Sequence, residues 1–219
     1  MEEDPRKAAQ IDEIVETELA RHWLAEGERL LLGCPPVRAH VGSLVGGRRR
    51  APHVPGRQQL PVVRLGPPRW PLPMADLPGE DWTDDPTLGH WAVADHDGRI
   101  AVQLADHLAV SHGEARVVVT DRRIAVVYPA NCLAGAPGQE VLTTFEEMEA
   151  CRLAALDAPF LGRSVPPRSV IAFRFTDGSV LYTRDVHAVM KVRRARERAE
   201  AQCASLPAPD RRITAWHCG

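Results

Sequence analysis

Lysine is nearly absent from this chain. Of its 27 basic residues 25 are Arg, and the two lysines are Lys7 and Lys191. Arg codons are GC-rich, so the bias by itself assigns no function. Aromatic residues contribute only 5% of the 219 positions. No apolar run reaches the roughly 18 residues that a membrane-spanning helix needs. The start, Met1-Glu2-Glu3-Asp4-Pro5, is acidic, whereas a secretory signal opens on basic residues followed by an apolar stretch. A cytoplasmic protein is expected. The five cysteines, Cys34, Cys132, Cys151, Cys203 and Cys218, are odd in number and widely spaced, which reads as free thiols in a reducing compartment. Collagen, a wholly disordered chain and a small disulfide scaffold are excluded by composition.

Motifs of catalysis are missing too. Gly42-Ser43-Leu44-Val45-Gly46 is not the Gly-x-Ser-x-Gly turn that strains a nucleophile. Gly46-Gly47-Arg48 lacks the Gly-Lys-Ser/Thr ending of a phosphate loop. Zinc sites need about four convergent ligands at short paired spacings. His90, Asp95, His96 and Asp97 are close in sequence but form no such pairs, and no Cys-x-x-Cys or His-Glu-x-x-His occurs. No metal and no cofactor is expected. Cys34 and Cys151 have no His partner visible in the sequence, so an enzyme ranks below a binding module.

What the chain does have is charge in blocks. The net charge is -2, yet residues 1–30 carry nine acids and four bases, 35–75 carry seven Arg and no acid, and 76–97 carry seven acids and no base. Eleven of the 19 prolines fall in 33–89. Proline interrupts helices and sheet ladders, so this segment is expected to be a loop insert, with one edge strand at most, over Gln59–Leu65.

The remainder is periodic. Ile11, Val15, Leu19 and Trp23 recur every four residues, with Ile14 widening the stripe, and predict a helix over 6–25. Glu28–Leu32 reads as a strand. Ile100, Val102 and Leu104 alternate as a strand face does. Arg116–Thr120 and Ile124–Tyr128 flank Asp121-Arg122-Arg123 and predict a hairpin. Val141–Phe145 is a further strand, and Met148–Leu153 a strand or a short helix. Ser169–Phe175 and Ser179–Thr183 flank Asp177-Gly178, a strong hairpin turn. Asp185 offers an N-cap to a helix whose stripe is Ala188, Val192, Ala195, Ala199, Cys203 and Leu206, closed by Pro207-Ala208-Pro209.

The segment Val119-Thr120-Asp121-Arg122-Arg123-Ile124 resembles the short hairpin of bacterial pleckstrin-homology-like and GRAM-like domains. Glu26-Gly27-Glu28-Arg29-Leu30-Leu31 is similar to their opening strand, and the hairpin at Phe173–Leu181 with the helix Asp185–Leu206 is similar to their ending. The resemblance covers about residues 26–32 and 98–206. It implies an α+β fold: an antiparallel, strongly bent sheet or open barrel capped by the C-terminal helix. The expected organisation is an amphipathic helix at 1–25, the domain at 26–206 with a Pro/Arg-rich insert at 33–97, and a mobile tail at 207–219. Such domains are platforms for inositol lipids, peptides or proteins, in bacteria often for self-association.

Two sites compete. Ile11, Val15, Leu19 and Trp23 would meet a protein partner or a second copy, unless that stripe packs on the insert or across an open sheet edge. Arg48, Arg49, Arg50, Arg57, Arg64 and Arg69 would hold an anionic ligand, since in inositol-phosphate-binding members of the family the basic site lies between the first two strands. Guanidinium groups grip phosphate and carboxylate bidentately. Against this stands neutralisation by Asp76, Glu80, Asp81, Asp84 and Asp85, or simple solvation. The basic helix face Lys191, Arg193, Arg194, Arg196 and Arg198 lacks aromatic residues for base stacking, so nucleic acid is not expected.

Overall fold

The computed structural model describes residues 5–56, 59–74, 79–135, 138 and 140–205. Helix α1 spans Pro5–His22. Strands β1 (Leu30–Gly33), β2 (His40–Val45), β3 (Arg48–Arg50) and β4 (Leu88–Ala94) follow, then α2 (Ile100–Val110). Next come β5 (Arg116–Thr120), β6 (Arg123–Pro129), β7 (Leu142–Glu149), β8 (Leu153–Asp157), β9 (Phe160–Leu161), β10 (Arg168–Phe175) and β11 (Val180–Arg184). Helix α3, Ala188–Ser205, closes the described chain. No helix among the described residues is long and apolar enough to cross a membrane. The tail expected at 207–219 lies outside the described residues.

The fold is α+β, with two mostly antiparallel sheets that do not close into a barrel. The first has the order β1-β5-β6-β7. The second has the order β3-β2-β4-β11-β10-β8, with β9 added beside β10, and its β2–β4 pair is parallel. Val117, Val119, Ile124 and Val126 of the first sheet share one core with Ile171, Phe173 and Leu181 of the second. Leu104 and Leu108 of α2 and Ala188, Val192, Ala195 and Ala199 of α3 complete it. The last four belong to the stripe read from the sequence, whose Leu206 lies outside the described residues and whose Cys203 is described in its backbone alone.

Two hairpins form where local chemistry predicts them. Arg116 pairs with Val127 and Val119 with Ile124 across β5–β6. Phe173 pairs with Leu181 across β10–β11, and Gly178 takes a φ of 84° in the turn. The Met148–Leu153 stretch divides: β7 runs on to Glu149, a 3-10 turn covers Ala150–Arg152, and β8 begins at Leu153.

Three expectations are corrected. Ile100, Val102 and Leu104 lie on α2 rather than on a strand. The α2 residues that enter the shared core, Ile100, Ala101, Leu104, Ala105 and Leu108, have helical spacing, and the two alanines hide it. The first turn is fastened from outside: Ile100 N–H donates to Asp177 Oδ2 (2.8 Å) and Ala101 N–H to Ser179 Oγ (3.1 Å), both in the β10–β11 turn. The proline-rich segment holds three strands rather than one, while Gln59–Leu65 supplies only a bridge from Val63 to Leu133. Gly46 and Gly47, at φ 55° and 75°, give the tight turn that makes β2–β3 possible. Third, Val15 and Leu19 do not face outward. They are buried against Val118, Ala125, Val127 and Leu142, so α1 covers the outer face of the first sheet.

The outer face of the second sheet has its own small core of Trp82, Leu88, Trp91 and Val170. Trp82 and Trp91 stack at 5.8 Å with ring planes 5° apart. Trp91 pairs across the ladder with Gly42, and a Cβ there would stand 2.3 Å from its ring carbons. Gly42→Ala is expected to cost about 1–3 kcal/mol by overpacking. Urea unfolding measures this, and a midpoint equal to wild type would show that the ring does not lie over β2.

Candidate functional site

The arginines expected to form one anion site are dispersed by strand geometry. Successive residues of β3 point to opposite faces. Arg48 is exposed. Arg49 lies over the Trp91 ring, its Cζ 5.3 Å from the centroid. Arg50 grips Asp97 end-on at 2.7 and 3.2 Å. Arg64 and Arg69 are exposed in the loop before β4, and Arg57 lies outside the described residues. The acids weighed against this block act elsewhere. Asp81 pairs with Arg163 at 3.1 Å. Asp84 accepts the Arg163 and Ser164 N–H groups, and Asp85 those of Met74 and Thr87. Asp76 lies outside the described residues, and Glu80 is described in its backbone alone.

The Thr-Asp-Arg-Arg turn has a structural task. Thr120 donates its hydroxyl to Glu28 Oε1 (2.6 Å) and accepts the N–H groups of Arg122 and Arg123. Asp121 accepts the Arg29 N–H (3.0 Å). Arg123 holds Glu28 bidentately at 2.9 and 2.9 Å, and its guanidinium lies 4.2 Å from the Trp23 ring centroid. Burial works to raise the Glu28 pKa, but the bonds from Arg123, Thr120 and the Ala25 N–H outweigh it and hold the group below its ordinary range. The turn thus clamps the chain as it enters β1, and Trp23 belongs to that clamp.

Sequence reasoning placed Lys191 on an exposed basic face, but its side chain is only 4% exposed. Its ammonium bonds Asp12 of α1 (2.7 Å) and Asp185 just before α3. Burial raises the Asp12 pKa against the pull of Lys191. Cys34 is buried near this group and its thiol is pushed up to about 12 by desolvation, so it is not a nucleophile near neutral pH. The other cations of that helix have partners as well. Arg194 and Arg198 reach Glu16 of α1, Arg196 reaches Asp157, and Arg193 pairs with Glu197.

A further constellation was not legible. Ser43 Oγ lies 2.8 Å from His53 Nδ1, and His53 Nε2 lies 2.7 Å from Asp106 Oδ1. Both ring nitrogens of His53 are thus engaged, Nε2 by the carboxylate of Asp106 and Nδ1 by the hydroxyl of Ser43. The order matches a nucleophile, a base and its orienter. Ser43 is nevertheless wholly buried, in mid-strand, between β3 and β4. The trio fastens the chain after β3 to α2, and Gly56 N–H joins it on Asp106 (3.3 Å). Residues 53 positions apart give no local signal.

His90 is buried and held down to about 4 by desolvation, and His96 is exposed. Among the described residues no group of three or more His, Cys, Asp or Glu is placed to hold a metal ion.

Among the side chains that the helices expose, some are apolar. Ile11 and Ile14 of α1 are 42% and 60% exposed, and Val186, Val189 and Met190 at the start of α3 are 43–53% exposed. Ile14 lines a groove with Glu13, Thr17, Glu18, Arg21 and His22, and Val186, Val189 and Met190 line another with His187, Arg193, Arg194 and Glu197. No family model, curated protein or solved structure matches this chain.

Removing the ammonium of Lys191 leaves two buried carboxylates without a counter-charge, so Lys191→Ala is expected to cost about 3–5 kcal/mol. The sign with pH follows from Asp12. Its folded pKa is raised, so the stability it contributes is full below the unfolded value and is lost as pH rises through the folded value. Without Lys191 nothing opposes the burial of these carboxylates, so protonation relieves the variant more than wild type, and its penalty should shrink as pH falls through the carboxylate range. Urea unfolding at several pH values checks this, and a penalty below about 1 kcal/mol at neutral pH would contradict the role given to the ion cluster.

Proposed function

We propose that this chain is a non-catalytic, cytoplasmic binding module of pleckstrin-homology-like architecture that acts in protein–protein association, with a second copy of itself as the partner. The order of elements supports the architecture. Leaving out residues 34–115, the chain runs β1, β5, β6, β7 in one antiparallel sheet, then β8, β10, β11 in the other, then α3. That is seven strands and a closing helix, with the two-residue β9 beside β10 as an eighth. The intervening segment adds β2, β3 and β4 to the second sheet and α2 to the core. Fold analogy names no partner, so the partner is argued from the surface.

The observation that carries the reading is the exposed apolar side chains beside one another on α1 and α3, Ile11 and Ile14 on one and Val186, Val189 and Met190 at the start of the other. Both helices touch β1 and are bridged over it by Lys191, Arg194 and Arg198, the last also bonding Leu31 O (3.3 Å). Most charges of the two helices are matched within the chain, Asp12 by Lys191, Glu16 by Arg194 and Arg198, and Glu18 by Arg116, so the apolar side chains are what they offer a partner. A two-fold interface is built from the same surface of both copies, so that where residue i meets j, j also meets i. Neighbouring helices that each expose apolar side chains meet that requirement when α1 of one copy lies on α3 of the other. The burial of Ser43, His53 and Asp106 favours a structural role for that trio over a catalytic one.

Light scattering across a dilution series is expected to show a dimer that dissociates on dilution. Ile14→Asp or Met190→Asp should weaken it at least tenfold, about 1.4 kcal/mol. Arg193→Glu should weaken it less. Surface substitutions are needed because deleting α1 would uncover the sheet beneath Leu19. A wild-type chain that stays monomeric at every concentration would end the proposal.

A further inference from the structure

One row of side chains crosses the outer face of the second sheet. Arg49, Leu44, Val93, Val180 and Arg174 are register partners on β3, β2, β4, β11 and β10. Cross-strand partners share a face. Leu44, Val93 and Val180 are half-buried there. In the adjacent row Trp91 and Tyr182 stand side by side, with Trp82 stacked beneath. Gly42 lets the Trp91 ring lie across β2 toward the edge strand that carries Arg49.

Arg49 combines two features that no other described arginine combines. Its guanidinium is held against an aromatic face, and its Nε and Nη2 are shielded from water with no hydrogen-bond partner among the described residues. These two donors form the side-on fork of the group. Arg99 uses the same fork on Asp95, at 2.6 and 2.6 Å, and Arg123 uses it on Glu28. Shielded donors without acceptors are unfavourable, and a planar carboxylate satisfies both at once. The neighbouring cations are already matched, Arg50 by Asp97 and Arg174 by Asp157. Arg49 therefore offers one unmatched charge, which suits a monoanion better than a phosphate dianion.

We propose that Arg49, held in place by the buried Trp91, and the half-buried apolar row Leu44–Val93–Val180 form a binding site for a small carboxylic acid with a flat apolar body. The carboxylate takes the Nε/Nη2 fork, and the apolar body lies along the row. Entry is by rotation of the Arg49 side chain, which stands on a three-residue edge strand paired on one side only. This site is separate from the α1–α3 face and does not depend on the oligomeric state.

The test is a titration of the full chain with benzoate, followed by the arginine Nε–H signals in a proton–nitrogen correlation spectrum. The Arg49 signal is assigned in the wild-type chain by through-bond connection to its own backbone amide, and its loss in Arg49→Lys is a check. It should move saturably with benzoate and stay in place with benzyl alcohol, which keeps the ring but lacks the charge. Inorganic phosphate should bind at least tenfold more weakly. Arg49→Lys keeps the charge but has no fork, so benzoate affinity measured by calorimetry should fall at least tenfold, while Arg48→Lys leaves it unchanged. An Arg49 signal unmoved by benzoate overturns the proposal. So does equal binding of phosphate or benzyl alcohol, or full benzoate affinity in a folded Arg49→Lys. If that variant does not fold, the wild-type titration with its two control compounds still decides.

Discussion

A lysine ammonium buried between two carboxylates fixes how the outer helices sit on this protein. Lys191 projects from α3 toward the core side, where Asp12 of α1 and Asp185 meet it. An ion held away from water tolerates little displacement, because its lost hydration must be replaced by specific partners. That constraint sets α1 beside α3, and the longer reach of Arg194 and Arg198 to Glu16 continues the same alignment. With α1 so placed, Val15 and Leu19 seal the first sheet, and Ile11 and Ile14 are left on the outside. The exposed apolar face thus follows from the buried ion cluster.

The parts of the fold legible in the sequence are those whose causes are local. Asp177-Gly178 makes its hairpin because glycine accepts a positive φ at the place where two alternating runs meet. The stripe of α3 reads correctly because Ala188, Val192, Ala195 and Ala199 all face one core. Helix α2 is the contrary case. Its first N–H groups are satisfied by Asp177 and Ser179, more than seventy positions later, and Arg99 supplies no side-chain cap. A local reading of Ile100–Leu104 therefore sees alternation and misses the helix. Likewise, the parallel pairing of β2 with β4 joins strands separated by the proline-rich chain from 46 to 87, and no periodicity reports it.

The candidate sites were legible as composition but not as geometry. Three consecutive arginines look like one basic patch. On a strand they become an exposed cation, a cation over tryptophan and a cation matched by Asp97. The small net charge is similarly uninformative about where charge resides. The acid-rich stretch before β4 does not neutralise the arginine block as a body. Asp81 and Asp84 hold the loop after β9, Asp85 holds its own turn, and Asp97 alone among these described acids reaches β3.

That redistribution separates two uses of arginine. Where a carboxylate is within reach, as for Arg99, Arg123 and Arg50, the cation is a fastening, and its removal is a question of stability. Where the partner is an aromatic ring and the fork has no acceptor, as for Arg49, attraction to the ring holds the cation while its strongest directional bonds stay unmade. The second arrangement stabilises the fold poorly for a residue so oriented, and it readies the group for a planar anion. The same distinction applies to the helices. Cations of α3 that meet Glu16 or Asp157 belong to the frame, and the apolar side chains between them, free of such duties, are the ones available to a second copy.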